Sequence, residues 1–378
     1  MAIQTAAGAQ ESGVRASAAR TPRRGGGIRG RQATAGWLFT APAIVLVVLF
    51  LVVPMLMALW VSLSNWSGIG SPFSSNVKFV GVKNYSAILV QDGLARQNLM
   101  ESLRNNFYYV LLVVPLQTVL ALFLAVVVNR RRLAGRGFFR TAFYFPSVTS
   151  SVAITIVFIF LFSGSGVVNA VLQQFGVSGP DWFTRQDGLI HIVLDKLGVH
   201  TAPGFLANHS VLGQSWWEWL AGPSVAMVAL IVLAVWTTAG TFMLMFLAAL
   251  QNIPAEIEEA ALVDGASSWE RFSQVTLPML RPTMFLVLTL GLIGTWQVFD
   301  AVFLLNANNP TLTTPAYLSY QTSFGNQQWG QGAAISFVLF AIIVVLAALQ
   351  RYVLRDRDLA RERKQQRSQG RSAIGRAG

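Results

Sequence analysis

The chain has 378 residues, of which 53% are hydrophobic and only 12% are charged, a composition that argues against a set of soluble domains and is typical of a membrane protein. It contains no Cys, which excludes disulfides, thiol nucleophiles and Cys-ligated metal or iron–sulfur sites. The net charge of +12 lies in the tails and one short loop, so it indicates membrane topology and contact with anionic lipid rather than nucleic-acid binding.

The two ends of the chain have the composition of disordered cytoplasmic tails. Residues 1–36 carry a Gly-rich basic patch, and residues 355–378 are rich in Arg, Gln and Ser. The spacing of Gly25, Gly27 and Gly30 matches a dinucleotide-binding pattern, but no strand precedes these glycines and we discard that interpretation. The sequence therefore predicts one membrane domain over residues 37–354, flanked by two basic tails.

Six runs within that domain are apolar over about the 20 residues that a spanning helix needs. The first run is too long for the hydrophobic region of a cleaved signal peptide, so we expect it to remain as a helix. The sequence predicts an all-α polytopic membrane protein with six transmembrane helices. The predicted spans are Trp37–Leu63, Asn105–Val128, Thr141–Phe162, Pro223–Ala248, Thr283–Leu305 and Ala333–Tyr352.

The distribution of basic residues predicts the orientation of these spans, because Lys and Arg in short flanking segments stay on the cytoplasmic side. Of the 28 Lys and Arg, 22 lie in the two tails, at the end of span six and in the segments after spans two and four, and six lie in the alternate segments. Both termini are therefore predicted to be cytoplasmic. The outer segments hold the three His, whose spacing is not that of a metal site and which we interpret as solvated or capping: His191, His200 and His209.

The loop over residues 252–278, between spans four and five, is the most informative segment. Pro254 suits a first helical position, three acidic residues follow it where a helix N-terminus favours negative charge, and Gly265 suits the left-handed cap after the last turn. This pattern predicts a helix of about ten residues. Ser267 and Glu270 form a capping box that opens a second short helix, which we expect to end before Pro278.

The first of these helices has the features of a docking element. Ala260 and Ala261 form a face of small residues, and Leu262 and Val263 lie beside it. An amphipathic helix lying on the membrane is the alternative, but the acidic first turn is unsuited to an anionic leaflet. The pattern therefore favours docking of this helix into a groove of a partner protein.

At this loop the sequence resembles the membrane subunits of binding-protein-dependent ABC importers, of the carbohydrate-uptake type related to the maltose transporter permeases. The signature of that family is Glu-Ala-Ala, three residues, Gly, nine residues, an aliphatic residue, any residue and Leu-Pro. Further similar segments are Phe79–Tyr85, Phe143–Pro146 and Phe299-Asp300, and the resemblance covers approximately residues 37–354. Every interval of the signature is matched by Glu259, Ala260, Ala261, Gly265, Val275, Leu277 and Pro278.

The resemblance implies a type I ABC importer permease fold with a cytoplasmic coupling helix, in a bacterial cytoplasmic membrane. It implies three partners: a second homologous permease subunit, a dimer of ATP-binding subunits and an extracytoplasmic solute-binding protein. ATP and Mg would be bound by the ATP-binding subunits, with no cofactor and no catalytic residue on this chain, and the sequence has no phosphate loop of its own. The residues implied to couple to the ATPase are Glu259, Ala260, Ala261, Asp264, Gly265, Leu277 and Pro278.

Two segments depart from the family pattern. An insert over about residues 181–219 lengthens the outer loop after span three and has apolar residues compatible with one extra amphipathic helix, as either a contact for the binding protein or a passive lid. The segment Asn306–Pro310 stands where the family commonly has a Thr-Gly-Gly-Pro turn, which we expect to be kept as a turn here.

Candidate residues for the solute path come from aromatic and polar positions in the spans. Asp300 is the only acidic residue within the predicted spans, and such a charge commonly faces a water-filled cavity or a partner. An aromatic plane beside polar groups suits the apolar face and the hydroxyls of a sugar, although interface belts have the same composition. The candidates are Trp236, Phe242, Trp296, Phe299, Asp300 and Asn306.

The sequence therefore favours a permease subunit that imports a mono- or oligosaccharide, coupled to a separate ATPase through the Glu259–Pro278 loop. One alternative is the same architecture with a non-sugar solute, such as a phosphorylated polyol or an amino acid. An anionic solute would favour Arg or Lys in the outer halves of the spans, and the predicted spans place none there. A polytopic membrane enzyme is the other alternative, but it needs clustered acids, His or a metal site.

Overall fold

The computed structural model describes the backbone of residues 26–130, 134–305 and 309–374, and the side chains between residues 35 and 352 within those ranges. The chain divides into two units, residues 1–57 and 58–378. In the first unit, helix α1 (Gly26–Val47) passes through a π-helical turn at Val48–Val52 into the start of α2 (Val53–Ser62).

The second unit is helical apart from a two-residue hairpin of β1 (Ser210–Val211) and β2 (Gln214–Ser215) among its described residues. Its helices after α2 are α3 (Lys83–Leu89), α4 (Leu94–Asn129), α5 (Arg136–Val148), α6 (Ser151–Leu161), α7 (Val167–Gln174), α8 (Leu189–Lys196), α9 (Gly204–Asn208), α10 (Trp216–Leu220), α11 (Val225–Gln251), α12 (Ala255–Val263), α13 (Ser268–Glu270), α14 (Leu277–Met279), α15 (Arg281–Trp296), α16 (Asp300–Leu305), α17 (Pro315–Tyr320) and α18 (Trp329–Ile374).

The predicted tails overlap the first and last helices. Helix α1 begins at Gly26 and α18 continues to Ile374, so both helices extend into the segments whose composition predicts disorder. Adding a residue to an existing helix costs far less than starting a new one, so a spanning helix can continue past the apolar run. The rest of the predicted tails, residues 1–25 and 375–378, lies outside the described residues.

Five helical segments of the described chain are long and apolar enough to cross a membrane, and a sixth span forms if α5 and α6 are taken together. This agrees with the predicted all-α class and with the positions of the six apolar runs. The five single segments are Ala35–Ser62, Leu94–Asn129, Val225–Gln251, Arg281–Leu305 and Trp329–Tyr352.

Span three is not the straight helix that the run Thr141–Phe162 predicts. Helices α5 and α6 meet at an angle of 98°. Thr149 and Ser150 are extended between them, with ψ angles of 150° and 128°. Pro146 has no N–H to give to the last turn of α5, and the Thr149 hydroxyl donates to the Phe145 carbonyl at 2.9 Å. These polar side chains supply local hydrogen bonds at the break, which the hydropathy of the run does not indicate.

Helix α11 is the centre of the second unit and packs against α4, α5 and α15. Towards its N-terminal end, Met227 and Leu230 belong to a buried apolar cluster with Tyr109 of α4. Towards its C-terminal end, Met243 and Phe246 belong to a second cluster with residues of α4 and α15. The space between these two clusters is where polar side chains collect.

The approach of α5 to α11 is closest at Gly240, which is buried. A Cβ at this position would lie 2.2 Å from the Phe143 carbonyl oxygen and 2.9 Å from the Tyr144 Cα. The Ser147 hydroxyl donates to the Thr237 carbonyl at 2.6 Å across the same contact. Small residues at helix contacts in membranes allow backbones to approach in this way.

The insert predicted at residues 181–219 contains α8, α9, the β1–β2 hairpin and α10, so a helix forms at the apolar positions. Gly188 of the insert pairs in an isolated β-bridge with Ser224, the residue before α11. Arg104 of α4 donates to the Gln214 side chain at 3.0 Å, and the Tyr108 hydroxyl donates to the Trp219 carbonyl. The insert is therefore held against the N-terminal half of α4, and its role stays a prediction.

Substituting Gly240→Ala should force α5 away from α11, because the new Cβ has no space beside the Phe143 carbonyl. We expect a loss of about 1–3 kcal/mol in stability, the range for overpacked contacts. The measurement is the thermal unfolding midpoint of the purified full chain in detergent. Gly137→Ala in α5 is the matched control, since a Cβ there meets no atom within 4 Å. Equal midpoints for the two variants would contradict the packing argument.

Candidate functional site

A cavity of about 480 Å³ lies between α4, α5, α6, α11 and α15. It occupies the space between the two apolar clusters of α11, at the break between α5 and α6. Its lining combines apolar side chains with hydroxyls, amides and one carboxylate. The polar lining residues are Gln117, Ser147, Thr149, Ser151, Thr155, Thr237, Thr238, Thr241, Thr295, Gln297 and Asp300.

Gln117 and Thr155 are the most buried polar residues of this lining, each at 1% exposure. The Gln117 Oε1 accepts a hydrogen bond from the Thr238 hydroxyl at 2.7 Å, whereas its Nε2 has no partner among the described residues. Gly291 gives the amide room, because a Cβ there would lie 2.4 Å from Nε2. A buried donor without an acceptor is costly, so this amide is suited to a solute oxygen or to water.

Asp300 lies at the start of α16, where the span that begins with α15 is interrupted at residues 297–299. Its Oδ2 accepts a hydrogen bond from the Ser151 hydroxyl at 2.7 Å, which joins α16 to α6. Its side chain is exposed in the cavity wall rather than packed in an apolar core. Asp300 therefore supplies the one charge of the lining.

The six candidates for the solute path lie in different places. Phe242, Phe299 and Asp300 line the cavity. Trp236 is 46% exposed and packs on Phe158 with 5.4 Å between ring centroids, outside the lining. Trp296 is buried in a cluster with Leu339 and Ile343, also outside the lining.

Asn306 lies outside the described residues, so only part of the segment Asn306–Pro310 can be compared with the predicted turn. Asn309 is buried, and its Nδ2 donates to the Phe183 carbonyl at 2.9 Å. Its Oδ1 accepts from the Thr311 N–H at 3.0 Å and so opens a short 3₁₀ turn at Pro310–Leu312.

Aromatic and charged residues were the basis of the sequence candidates, so the hydroxyl and amide lining was missed. A signal for it exists in the sequence. Gln117 interrupts an apolar run, and Thr237, Thr238 and Thr241 cluster in the middle of another. Polar groups at such depth in spanning helices face the protein interior or a cavity.

The loop after α11 has the predicted two-helix form. Helix α12 has nine residues, and Gly265 ends it with a φ of +79°. The Ala266 N–H donates to the Ala261 carbonyl at 3.0 Å and the Gly265 N–H to the Leu262 carbonyl at 3.1 Å, which is a glycine-type C-cap. Asp264 is the residue between helix and glycine and is exposed.

The expectation that the second helix ends before Pro278 is wrong. Helical turns continue from α13 through a π-helical turn at Arg271–Thr276 into α14, which contains Pro278. The Leu277 N–H donates to the Phe272 carbonyl five residues earlier. This wider turn relieves the clash between a proline ring and the carbonyl four residues before it, which normally ends a helix.

The capping box at the start of α13 is formed as predicted. The Ser267 N–H donates to Glu270 Oε2 at 2.8 Å, and the Glu270 N–H donates to the Ser267 hydroxyl oxygen at 3.3 Å. Hydrogen bonds from the Ser267 side chain and then from its backbone lower the pKa of Glu270 below its ordinary value of 4.5. The ionised Glu270 therefore stabilises the folded capping box. This stabilisation is fully present above the ordinary pKa of Glu270 and is lost as the pH falls through its lowered pKa.

The outer surface of this loop is apolar and free of contacts with other parts of the described chain. Val263 is 87% exposed, Trp269 72% and Leu262 53%. Ala260 and Glu259 are also exposed, whereas Ala261 is half-buried against the body of the protein. Leu277 and Pro278 are half-buried in the turn that leads into α15. Exposed apolar side chains grouped in this way indicate a protein interaction surface.

The sequence profile of the binding-protein-dependent transport system inner membrane components matches residues 117–358. The chain is 32% identical to the lactose transport system permease protein of Rhizobium radiobacter, over 85% of this chain and 94% of that protein. It is 30% identical to the multiple sugar-binding transport system permease protein of Streptococcus mutans, over 83% of this chain and 93% of that protein.

Among solved structures, a bacterial ABC transporter involved in the import of the acidic polysaccharide alginate has a similar fold. One of its chains superposes with a TM-score of 0.64 at 20% identity, covering 87% of this chain and 98% of that chain. A complex of such a transporter with an alginate pentasaccharide-bound periplasmic protein gives a TM-score of 0.63 at the same identity, covering 86% of this chain and 96% of that chain.

Substituting Ser267→Ala removes the hydroxyl of the capping box and should loosen the start of α13. The loss of an N-cap costs about 1 kcal/mol, so we expect exchange of the Glu270 amide to accelerate about fivefold. Hydrogen–deuterium exchange over residues 266–272 measures this change. Ser273→Ala is the control, since its hydroxyl donates to the Trp269 carbonyl at 2.8 Å within the helix. Unchanged exchange in Ser267→Ala would contradict the role of the cap.

Proposed function

Because this chain belongs to the family of binding-protein-dependent transport system inner membrane components, we propose that it is the permease subunit of an ATP-driven importer of a mono- or oligosaccharide. The solute would be delivered by an extracytoplasmic binding protein and would cross through the cavity between α4, α5, α6, α11 and α15. Membership of this family favours transport over the alternative of a membrane enzyme.

The observation that carries the sugar proposal is the hydroxyl and amide lining of the cavity. Its neutral polar groups can exchange hydrogen bonds with sugar hydroxyls, and the Phe242 and Phe299 rings offer apolar faces beside them. Among the described lining residues Asp300 is the only charged one, which disfavours a phosphorylated polyol or another anionic solute. Relatives named for lactose and for multiple sugars support the same solute class.

Coupling to ATP is proposed to occur through the exposed loop surface around α12. The sequence has no phosphate loop, so ATP and Mg would be bound by a separate ATPase subunit. Val263 and Trp269 present apolar area that a groove on that subunit could bury. The exposed acidic residues Glu256 and Glu259 lie seven and four residues before Val263 on the same helix and would select a groove with basic edges.

The loop connects two helices of the cavity wall, so a displacement of the loop would move both. It leaves α11 and returns into α15, and both helices form walls of the cavity. The C-cap at Gly265 and the Ser267–Glu270 box make it a stiff connection. A shift of α12 that accompanies ATP binding by the partner would therefore move two cavity walls together. Alternating access would follow if the partner binds the two arrangements with different affinities.

The remaining parts of the proposal follow from the basic residues and from the family. The charge distribution supports a cytoplasmic position for the loop and both termini and an outer position for the insert around α8, as in a protein of the bacterial inner membrane. A second homologous permease would complete the transport path. The ATPase subunits would bind as a dimer, one beneath each permease.

The exposed loop residues can be tested without disturbing the fold. Replacing both Val263→Ser and Trp269→Ser removes apolar area that contacts little within this chain, so the unfolding midpoint should stay unchanged. We expect at least about a tenfold loss of ATPase subunit recovered on affinity purification from the producing cell, the effect of losing interface anchors. Leu197→Ser, an exposed position in the insert, is the control. Full ATPase recovery with the double variant would refute the docking surface.

The cavity can be filled without a clash inside the chain. Gly294 lines the cavity, and a Cβ there meets no atom within 4 Å. Gly294→Leu should therefore occupy solute space and lower labelled-sugar uptake by at least about tenfold, while complex assembly and the unfolding midpoint stay normal. Gly137→Leu, equally free of neighbours and outside the cavity, should transport normally. Normal uptake by Gly294→Leu would show that the solute crosses elsewhere.

A further inference from the structure

A second pocket, of about 560 Å³, lies behind α12, between that helix and the ends of α4 and α11. Two segments that are far apart in the sequence, the connection from α4 to α5 and the turn after α13, supply its basic groups. Arg130 follows the last residue of α4, Arg136 is the first residue of α5, and Arg271 begins the π-helical turn after α13. Glu258 of α12 is the one acidic residue among the described residues of the lining.

The three guanidinium groups are poorly matched by protein acceptors. No carboxylate lies within 4.0 Å of any of them among the described side chains. Arg136 donates to the Arg130 backbone carbonyl, and Arg271 donates through Nη2 to the Ser268 hydroxyl oxygen at 3.3 Å. The Arg271 Nε is buried and has no hydrogen-bond acceptor.

This arrangement has an electrostatic cost that an anion would remove. Three like charges around one pocket repel one another, and one carboxylate cannot neutralise them. A buried guanidinium N–H without an acceptor loses the hydrogen bond that it made to water. A phosphate group would relieve both the repulsion and the missing hydrogen bond, because it carries negative charge and several acceptor oxygens. A planar guanidinium group can donate to two of these oxygens at once.

We propose that this pocket binds a phosphate-bearing anion, held by Arg130, Arg136 and Arg271. The bound group would bridge the end of α4, the start of α5 and the turn that follows the loop helix α12. Its occupancy would therefore hold the loop against α4 and α5 and stiffen the connection to the cavity walls. In the orientation proposed above, the pocket opens at the cytoplasmic interface, where the phosphate belongs either to an anionic lipid headgroup or to a soluble phosphate.

The test titrates the purified full chain, in a neutral detergent, with three probes while the unfolding midpoint is followed. The probes are inorganic phosphate, dihexanoylphosphatidylglycerol and dihexanoylphosphatidylcholine, each at constant ionic strength and at concentrations where general salt effects are small. Binding to the native state alone raises the midpoint, and above the dissociation constant the rise grows with the logarithm of the ligand concentration. A rise of this form with inorganic phosphate identifies a soluble phosphate site, and a rise with the phosphatidylglycerol alone identifies a lipid headgroup site.

Substitutions of the arginines test whether the ligand that raises the midpoint binds in this pocket. We expect Arg136→Gln and Arg271→Gln each to weaken the apparent affinity by about tenfold, which corresponds to ~1.4 kcal/mol. Arg271→Lys keeps the charge and loses the fork, so it should weaken binding while keeping the fold. Arg281→Gln is the matched control, because Arg281 begins α15 nearby in the sequence and does not line the pocket.

Three results would overturn the proposal. One is the absence of a logarithmic rise of the midpoint in the wild-type chain with both the inorganic phosphate and the phosphatidylglycerol. Another is equal weakening by Arg281→Gln, which would indicate a diffuse effect of positive charge. The third is loss of the ligand-dependent rise when ATPase subunits are bound, which would assign the pocket to an acidic group of that partner. None of these readouts depends on sugar uptake, so the site fails or stands separately from the transport function.

Discussion

The close contact of α5 with α11 at Gly240 is the constraint on which the cavity depends. It brings the Phe143 carbonyl and Ser147 onto the backbone of α11, so that the Ser147 hydroxyl donates to the Thr237 carbonyl at 2.6 Å. Ser147 and Thr237 both line the cavity. Because α5 is held there, the chain must turn by 98° to enter α6, and this bend opens the space that the lining residues share.

The same helix α11 connects the cavity to the loop that presents α12. The loop is stiffened at Gly265 and at the Ser267–Glu270 box, then continues through the π-helical turn into α15 without a break at Pro278. A rigid connection of this kind transmits a displacement, whereas a flexible linker would absorb it. The caps at Gly265 and Ser267 therefore contribute to the proposed transport mechanism, because they keep the connection between α12 and α15 rigid.

The sequence was a good guide to the loop and a poor guide to the cavity. Caps are local, because a Gly or a Ser–Glu pair acts on backbone groups a few residues away, so α12 and the start of α13 could be predicted from spacing alone. Cavity residues come from six helices, α4, α5, α6, α11, α15 and α16, and their meeting depends on helix rotation and on the bend after α5. Trp296 is an example. Its aromatic ring could contact a sugar, but the helix turns the ring away from the cavity and packs it against Leu339 and Ile343.

The sequence by itself determined the all-α membrane class, the six apolar runs and the two-helix loop, because hydropathy and capping act over one turn or one span. Only the tertiary structure decided that span three bends, that Gln117 and the Thr side chains face one cavity, and that Arg130, Arg136 and Arg271 meet in one pocket. The physical reason is that these features are contacts between helices. They depend on how closely backbones approach, at Gly240 and Gly291 above all, and neighbouring residues in the sequence do not specify that distance.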